Sequence, residues 1–312
     1  MNRSFPLLVL LLPLPAFAEQ ITVATYNIEN FQEHFLSRRG ATTQPVSRDV
    51  ADAVRRANDE DNWEISQVIL DPAFSPDILA IQEGCDQRDL DYFVSRWLNR
   101  KYDSAIVFPG NTDRQQHVEL LMKPGFKVLE KKDQYYLEKD TVGNERGDRL
   151  FARGPAFVLV ESPGGWRFWV GTNHQKSRSG NSLEVTKWRN REAARTHQII
   201  EEVEKTGPAD VVFMGDMNDE LWYQAYELEA GGDAISLLIG PAADGLSLAT
   251  LPLVEAGQIS YFGYDRTEYR SMIDHIIVSR SMKQRIRNVR VFQNGFTPVA
   301  SDHSPVMMRI ER

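Results

Sequence analysis

The apolar positions of this chain fall into short runs that stop at clusters of small polar side chains. β-Branched and aromatic residues are frequent in these runs, and their short length is typical of strands rather than helices. Four runs are predicted to be buried strands that lead into polar loops: residues 21–26, 78–81, 166–172 and 211–214. We therefore expect a sheet protein whose strand ends carry the functional side chains.

Helical periodicity marks two long stretches, residues 46–70 and 185–204, the first with a polar segment at 58–62 that could break it. A short helix is predicted at 90–98, and the charged residues 131–148 are expected to form a solvated loop. Further strands are predicted at 104–108, 118–122, 126–129, 150–160, 273–278, 289–292 and 306–310, with weaker candidates at 246–250 and 259–262. Such a mixture indicates two packed sheets with helices outside.

Residues 1–18 have the parts of an export leader. Arg3 supplies the positive charge, an apolar stretch follows, and the sequence AFA, ending at Ala18, has the small residues of a cleavage site. We expect the mature protein, residues 19–312, to be periplasmic or secreted from a bacterial cell. Since neither a repeat nor a long linker divides these residues, a single domain is predicted.

The charge balance narrows the function classes only slightly. A formal charge of −8 argues against a broad, nonspecific nucleic-acid coat, but it leaves room for a local basic groove beside an acidic metal site. Cys85 is the single cysteine, so an intrachain disulfide is excluded. The fold must therefore depend on its apolar core or on a bound metal.

The stretch VVFMGDMND, residues 211–219, shows the strand-to-loop design most clearly. Gly215 allows the backbone to turn, and Asp216 and Asn218 follow it two positions apart. Alternate side chains of an extended segment point the same way, so the two could address one target, such as a metal-bound phosphate or an attacking water. The alternative interpretation is a local Asx turn, because Asp and Asn favour turns.

Strand ends and the turns beside them carry six more polar residues: Asn27, Glu83, His174, Asp274, Asp302 and His303. Loops at one rim of a sheet sandwich lie close together, so we expect these side chains to converge. A carboxylate such as Glu83 can bind a hard Mg²⁺ ion that also accepts phosphate oxygens. A histidine beside a carboxylate can take a proton from water near neutral pH. This combination is typical of a metal-dependent phosphoesterase.

Six segments carry these residues in order: TYNIEN, LAIQEG, TNHQKS, VVFMGDMND, MIDHIIVS and SDHSPV. Together they resemble the endonuclease/exonuclease/phosphatase superfamily over nearly all of residues 19–312. That superfamily includes pancreatic-type deoxyribonuclease, abasic-site endonucleases, inositol polyphosphate 5-phosphatases and neutral sphingomyelinases. The resemblance implies a four-layer α/β sandwich, in which two mixed β-sheets pack face to face and are flanked by helices.

The resemblance also implies catalytic and metal-binding roles. Glu83 would be the principal metal carboxylate, with Asn27 and Asp302 also close to the ion. His303 would be the general base, or would stabilise the charged transition state, with Asp274 orienting its ring. The implied cofactor is Mg²⁺, with Mn²⁺ or Ca²⁺ as possible substitutes.

Asp216 and Asn218 would position the nucleophile or a second ion. His174 would bind a phosphate oxygen or help to protonate the leaving oxygen. In pancreatic-type enzymes a glutamate pairs with the first catalytic histidine, and here His117 and Glu119 compete as candidates for the acidic or polar partner of His174.

Two local features favour a nuclease. FARGPAFVLV, residues 151–160, resembles a deoxyribonuclease segment in which an arginine contacts phosphate, which makes Arg153 a substrate-binding candidate. NHQKS with the TYNIENF opening resembles bacterial secreted nucleases and would place Lys176 at the nucleic-acid backbone. Three arginines could extend that basic edge: Arg178, Arg189 and Arg191. We expect a monomeric enzyme that cuts nucleic acid internally, DNA in preference to RNA.

Other interpretations stay open. The same chemistry could serve sphingomyelin or inositol phosphates, and the same scaffold could be a non-catalytic binding protein. Arg153 and Lys176 could be ordinary surface cations, and His275 could be structural because it alternates to the opposite face. The aromatic pair Trp222 and Tyr223 could stack on bases or lie buried under the loop.

Overall fold

In a computed structural model, the part of the chain that can be described comprises residues 18–29, 48–112, 116–144, 147–178, 182–221, 225–241, 245–263 and 270–312. The predicted leader, apart from its last residue, lies outside these ranges, and so do Trp222 and Tyr223. Within them, no helix is long and apolar enough to cross a membrane.

The strands are β1 (Gln20–Asn27), β2 (Ile78–Gly84), β3 (Ser104–Phe108), β4 (His117–Met122), β5 (Lys127–Lys132), β6 (Lys139–Asn144), β7 (Gly147–Arg149), β8 (Ala156–Glu161), β9 (Arg167–His174), β10 (Val211–Asp216), β11 (Ser247–Leu248), β12 (Asp274–Val278), β13 (Ile286–Val291) and β14 (Val306–Glu311). The helices are α1 (Arg48–Ile69), α2 (Gln87–Arg96), α3 (Leu183–Glu204), α4 (Ala225–Glu229), α5 (Ala234–Ile239), α6 (Leu251–Glu255), α7 (Arg280–Lys283) and α8 (Thr297–Ala300).

Two six-stranded sheets form the frame. The first has the strand order β13-β14-β1-β2-β4-β3, and the second has the order β11-β12-β10-β9-β8-β5. Each contains one parallel pair, β1 with β2 and β9 with β10, among antiparallel neighbours. A parallel pair needs a crossover connection, and the two long helices α1 and α3 supply it. The sheets are therefore mixed, as expected.

The layers follow from the two faces of each sheet. On β2, Ile78 and Ala80 point into the core between the sheets, whereas Leu79 and Ile81 pack in the cluster that contains α1 and α2. The second sheet packs its outer face against α3 in the same way. Burial on both faces explains why these strands read as continuous apolar runs. The four-layer α/β sandwich is confirmed.

Two predictions of irregular structure were wrong. Helix α1 continues through residues 58–62, because Asn62 and Ile65 are buried there and packing outweighs the polar sequence. The described residues of the segment 131–148 include a 3₁₀ turn and the paired strands β6 and β7, where a solvated loop was predicted. Strand β6 is tied to α3 by Arg191, which donates two hydrogen bonds to Asp140 at 3.1 and 2.7 Å.

The weaker strand candidates are only partly present. The segment 246–250 contributes the two-residue strand β11, and in the segment 259–262 Tyr261 forms isolated bridges to Ser271 and His303. The apolar segment at the start of β9 is a core strand, as predicted, since Phe168 and Trp169 are fully buried.

Candidate active site

The strand register places the polar strand ends at one rim of the sandwich. Asp216, the last residue of β10, lies opposite His174 on β9 and opposite Asp274 on β12. Three neighbouring strands of the second sheet thus present an aspartate, a histidine and a second aspartate side by side. On the first sheet, the parallel strands β1 and β2 end near one another at Asn27 and Glu83.

A polar chain joins the two sheets next to this rim. The hydroxyl of Thr25 donates to the Gln82 side-chain oxygen at 2.9 Å, and the Gln82 amide donates to the Thr172 hydroxyl at 3.3 Å. All three residues are fully buried. Since Gln82 precedes Glu83 and Thr172 lies two residues before His174, these bonds hold the two halves of the site together.

The backbone at the rim adopts conformations that side chains rarely favour. Glu29, Glu83 and Asn218 have φ values of 50°, 59° and 51°. Non-glycine residues in the left-handed region are uncommon and occur most often at functional sites. Here this conformation occurs at three polar residues that lie at or just beyond the ends of β1, β2 and β10.

His303 and Asp274 form a buried pair across the two sheets. The Nδ1 atom of His303 lies 2.7 Å from Asp274 Oδ2, so the carboxylate orients the ring and leaves Nε2 facing the rim. The Ser301 hydroxyl donates to the Asn27 carbonyl and accepts from the His303 N–H, which fixes the turn. Burial opposes the charge of His303, but Asp274, Asp216 and Asp302 together outweigh it and raise the pKa of His303 to about 10.

Asp216 lies between the two histidines. Its Oδ2 atom is 3.2 Å from His174 Nε2 and 3.8 Å from His303 Nε2, and it accepts a hydrogen bond from the Asn27 amide at 3.0 Å. Burial alone would raise the pKa of Asp216, but His174 and His303 outweigh it and hold that pKa below its usual range. The carboxylate is therefore ionised at neutral pH.

The two interpretations of the 211–219 stretch prove compatible. Asp216 Oδ1 accepts the Asn218 N–H at 2.8 Å, which is an Asx turn, while its Oδ2 atom faces the histidines. The Asn218 amide donates to the carbonyl of Gln175 at 3.2 Å. Asn218 thus links the loop after β10 to the loop after β9.

His174 is paired differently from the expectation. Its Nε2 atom meets Asp216 and, at 3.9 Å, Glu83, while among the residues that can be described its Nδ1 atom has no hydrogen-bond partner. Glu119 accepts a hydrogen bond from the N–H of Cys85. Burial and the charge of Arg153 lower the pKa of His174, so its ring is neutral near pH 7.

Carboxylates crowd the first-sheet side of the rim. Glu29 accepts the Asp302 N–H at 3.1 Å, and Glu83 accepts a hydrogen bond from the Gln116 amide at 2.8 Å. Burial raises the pKa of Asp302 to about 7; His303 opposes this rise, and the charges of Glu29 and Glu83 add to it. A divalent cation would relieve such repulsion.

The donor types suit a hard divalent ion, which prefers carboxylate and amide oxygens. The predicted ligands Asn27, Glu83 and Asp302 border this crowded region. A second combination is geometrically compact: one ligand atom each from Asp216, Asp274 and His303 lie within 4.8 Å of one another. Because Asp274 is engaged with His303, the first-sheet side is the better candidate for the ion.

The candidate substrate cations are buried, so the surface-cation alternative was wrong for both. Arg153 lies close enough to His174 to lower its pKa, and its guanidinium donates to the Gln175 carbonyl at 3.5 Å. The ammonium of Lys176 lies 5.3 Å from the centre of the Trp188 ring on α3. The structure thus brings Arg153 to the histidine and places the Lys176 ammonium against the helix.

The three arginines predicted to extend a basic, substrate-facing edge are instead paired with acidic residues of the protein. Arg178 pairs with Asp219 at 2.5 Å and with Glu220 at 3.1 Å, and Arg191 pairs with Asp140. Arg189 is fully buried, with its Nε atom 3.3 Å from Asp219 Oδ2. These arginines are internal ion-pair partners, because acidic residues distant in sequence face them.

Several residues at the site carry no local sequence signal. Gln116 supports Glu83, and the ring of Tyr261 packs 5.0 Å from the His303 ring. Burial and the charge of Asp302 raise the pKa of Tyr261, which indicates that its hydroxyl lies near the carboxylates. His275 is buried, bonded to the Thr250 hydroxyl and the Asp219 carbonyl, in keeping with a structural role.

Comparison with known families gives one match over most of the chain. A family model described as the Endonuclease/Exonuclease/phosphatase family matches residues 24–303. No curated protein sequence matches this chain.

Solved structures share the fold at low sequence identity. The human Nocturnin catalytic domain with bound sulfate anion has 15% identity and a TM-score of 0.60, with coverage of 95% of this chain and 97% of that chain. A mannosyl-6-phosphatase of Bacteroides thetaiotaomicron has 18% identity and a TM-score of 0.58, covering 92% and 98%. D. rerio TDP2 complexed with single-strand DNA product has 14% identity and a TM-score of 0.54, covering 93% and 98%.

Proposed function

Because this chain belongs to the endonuclease/exonuclease/phosphatase family, whose members are hydrolytic phosphoesterases dependent on divalent metals, we propose that it hydrolyses phosphodiester bonds in nucleic acid. DNA is the proposed substrate before RNA, and the cut is internal. The protein is proposed to act as a monomer, periplasmic or secreted after removal of residues 1–18.

One observation carries this proposal. Two imidazole Nε2 atoms, of His174 and His303, face the same carboxylate oxygen of Asp216 from opposite sheets, at 3.2 and 3.8 Å. Beside them lies a set of mutually repelling carboxylates. A tetrahedral phosphate offers oxygens in several directions, so it could contact both histidines and a cation at once. Keeping these partly buried carboxylates so close together would be costly in a protein that binds no cation.

The proposed metal ligands are Glu83, Asn27 and Asp302. When bound, a Mg²⁺ ion would neutralise phosphate charge and polarise the phosphorus, and Mn²⁺ or Ca²⁺ could occupy the same oxygen ligands. Gln116 holds one oxygen of Glu83, which fixes the direction of the other.

The proton chemistry is assigned to His303. As the water oxygen bonds to phosphorus and the ester P–O bond breaks, the water proton would pass to His303 Nε2, and Asp274 would stabilise the resulting imidazolium. The leaving ester oxygen would take its proton from solvent water. With a pKa of about 10, His303 is already protonated near pH 7 when the site holds no cation, which suits its alternative role of stabilising the charged transition state. The general-base role requires that the positive charge of a bound cation lower this pKa.

Substrate binding is assigned to the second-sheet side. His174 is neutral near pH 7, so it is better suited to donate a hydrogen bond to a phosphate oxygen than to protonate the leaving group. Asp216 and Asn218 would position the attacking water. Arg153, beside His174, would contact the phosphate charge, and Lys176 would meet the backbone once its ammonium turns from Trp188.

The test is a gel assay of residues 19–312 on supercoiled plasmid, with Mg²⁺ or with EDTA. We expect nicking with Mg²⁺ only, and its loss in Glu83→Ala and His303→Ala, with unchanged circular dichroism. Nicking that persists in EDTA, or in a folded His303→Ala protein, would contradict the assigned chemistry. Light scattering of the same preparation tests the monomer.

A second candidate substrate is a small phosphate ester, such as an inositol phosphate or the phosphocholine group of sphingomyelin. It is favoured by one observation: Arg178, Arg189 and Arg191 are engaged in internal ion pairs instead of forming a basic edge for a long polyanion. Turnover of these esters without plasmid nicking would support it. Metal binding without turnover of any phosphate ester would indicate a non-catalytic binding protein.

A further inference from the structure

Helix α3 carries a buried carboxylate that the proposed chemistry does not use. Glu192 is 1% exposed, and its Oε2 atom accepts a hydrogen bond from the backbone N–H of Lys176 at 2.7 Å. The backbone N–H of Ala152 also faces this carboxyl group and favours its ionised form. Burying a carboxylate is costly unless hydrogen bonds compensate it, so these backbone groups show what Glu192 holds in place.

Both groups belong to the segments that carry the candidate substrate-binding residues. Ala152 immediately precedes Arg153, and Lys176 follows His174 by two residues. The segments are also joined directly, because the His174 N–H donates to the Arg153 carbonyl at 3.2 Å. One carboxylate therefore anchors a pair of segments that come from β9 and from the start of β8.

The same helix anchors the third segment of this side of the rim. Arg189, one turn before Glu192, is fully buried, and its Nε atom lies 3.3 Å from Asp219, the residue after Asn218. Arg153 and Arg189 face Glu192 and offset part of the effect of burial, which raises the pKa of Glu192 to about 7. Each of these buried charges on α3 thus has partners at the rim.

We propose that Glu192 is a positioning residue for substrate binding: it fixes residues 152–153 and 174–176 so that Arg153 and His174 can meet the same phosphate. This inference rests on the proposed phosphoesterase function. Glu192 acts through two backbone N–H groups and does not touch the substrate. Its loss should therefore weaken substrate binding while the His303–Asp274 pair, held by other contacts, keeps its geometry.

The first test is independent of activity. Hydrogen–deuterium exchange followed by mass spectrometry is compared for the wild type, Glu192→Gln and Glu184→Gln, the last being an exposed glutamate of the same helix. The glutamine has one acceptor oxygen in place of two and no charge, so we expect faster exchange in peptides covering 151–155 and 174–177 only in Glu192→Gln. Equal exchange in both variants would overturn the positioning role.

The second test separates positioning from general destabilisation. With Mg²⁺ and an oligonucleotide substrate, Glu192→Gln is expected to raise KM about tenfold, since a charge-assisted hydrogen bond is lost, and to leave kcat close to that of the wild type. Added to Arg153→Gln, the same change should raise KM by a smaller factor, because part of the effect of Glu192 is exerted through Arg153. A fall in kcat with unchanged KM, or full additivity, would overturn the inference.

Failure of the proposed function would look different. A wild type that cleaves no phosphate ester defeats that function, and the dissociation constant of a short single-stranded oligonucleotide then replaces KM. Weaker binding by Glu192→Gln than by Glu184→Gln supports the positioning role in that case, and equal binding, or none by the wild type, overturns it.

Discussion

The two sheets each bring a pair of carboxylates to the same rim, but the two pairs differ in how deeply they are buried. On the first-sheet side, the side chains of Glu83 and Asp302 each remain 18% exposed. On the second-sheet side, those of Asp216 and Asp274 are 2% and 1% exposed. The less buried pair is therefore accessible to a ligand from solvent, whereas the more buried pair must be satisfied from within the protein.

Their partners differ accordingly. Asp216 and Asp274 each face an imidazole, at 3.2 and 2.7 Å. Asp302 lies farther from one, 3.7 Å from His303 Nε2, and burial together with the charges of Glu29 and Glu83 raises its pKa to about 7 in spite of that imidazole. The second-sheet side is thus arranged in advance for hydrogen bonding and proton transfer, and the first-sheet side has an excess of negative charge that a cation would balance. His303, from the turn before β14, connects the two sides.

Removing the His303 side chain should have the largest effect on the reaction rate. His303→Ala is expected to lower kcat by about 10²–10⁴-fold, the usual contribution of a positioned acid–base group. As a control, His197→Gln changes a histidine of α3 whose ring bonds the Leu238 carbonyl in the outer layer, and it should keep kcat. Steady-state rates on plasmid or oligonucleotide measure both. A His303→Ala enzyme that stays within a few-fold of the wild type would remove the distinction between the two sides.

Most of the polar residues at this rim could be predicted from the local sequence around them. An apolar run that stops at a polar residue is a local pattern, so the strand ends at Asn27, Glu83, His174 and Asp216 could be predicted, and the parallel pairs bring such ends together. The structure also places Asp274 against His303. These placements agree with the sequence patterns because strand length and register are decided over a few residues.

Contacts between distant segments could not be anticipated in this way. The ion pair of Arg189 with Asp219 joins residues 30 positions apart in sequence, and nothing local distinguishes it from a solvated surface arginine. Asp140 of β6 likewise pairs with Arg191 of α3, which lies 51 positions away in sequence. Gln116 acquires its role only when β4 pairs with β2 beside Glu83. In each case tertiary packing chooses the partner.

Loss of the Gln116 side chain should have a smaller effect, and it should change only the affinity of the first-sheet side for the cation. Gln116→Ala removes the hydrogen bond to Glu83 Oε2, and loss of such a partner of a metal ligand typically costs about 10–100-fold in metal affinity. We expect Mg²⁺ titrations of activity to shift by that factor, with kcat restored at saturating Mg²⁺. Gln87→Ala is a suitable control, since its exposed side chain bonds Asp91 on α2. An unchanged Mg²⁺ requirement would show that the hydrogen bond from Gln116 to Glu83 does not support the cation site.

The smallest effects concern stability and should have opposite signs for two of these carboxylates, Asp302 and Asp216. The folded-state pKa of Asp302 is raised to about 7, so its stabilising contribution is complete below pH 3.8 and is lost as the pH rises through 7. The pKa of Asp216 is lowered, so its contribution is present above pH 3.8 and is lost as the pH falls. In EDTA at pH 8, Asp302→Asn should therefore raise Tm, by about 3 °C or more, and Asp216→Asn should lower it by a similar amount.

Saturating Mg²⁺ should reverse the effect of Asp302→Asn on Tm, from a rise to a fall. A ligand that binds only the folded protein stabilises it by about 2.7 kcal/mol at 100 times its Kd, and Asp302→Asn gives up part of that affinity. The wild type should then melt above Asp302→Asn, while Asp216→Asn stays below the wild type in both conditions. Differential scanning fluorimetry of the wild type and both variants at pH 8, with EDTA and with Mg²⁺, measures these Tm shifts. If the two asparagine variants shift Tm in the same direction in EDTA, Asp302 and Asp216 are not in different electrostatic states, and the assignment of the cation to the side of Asp302 loses its basis.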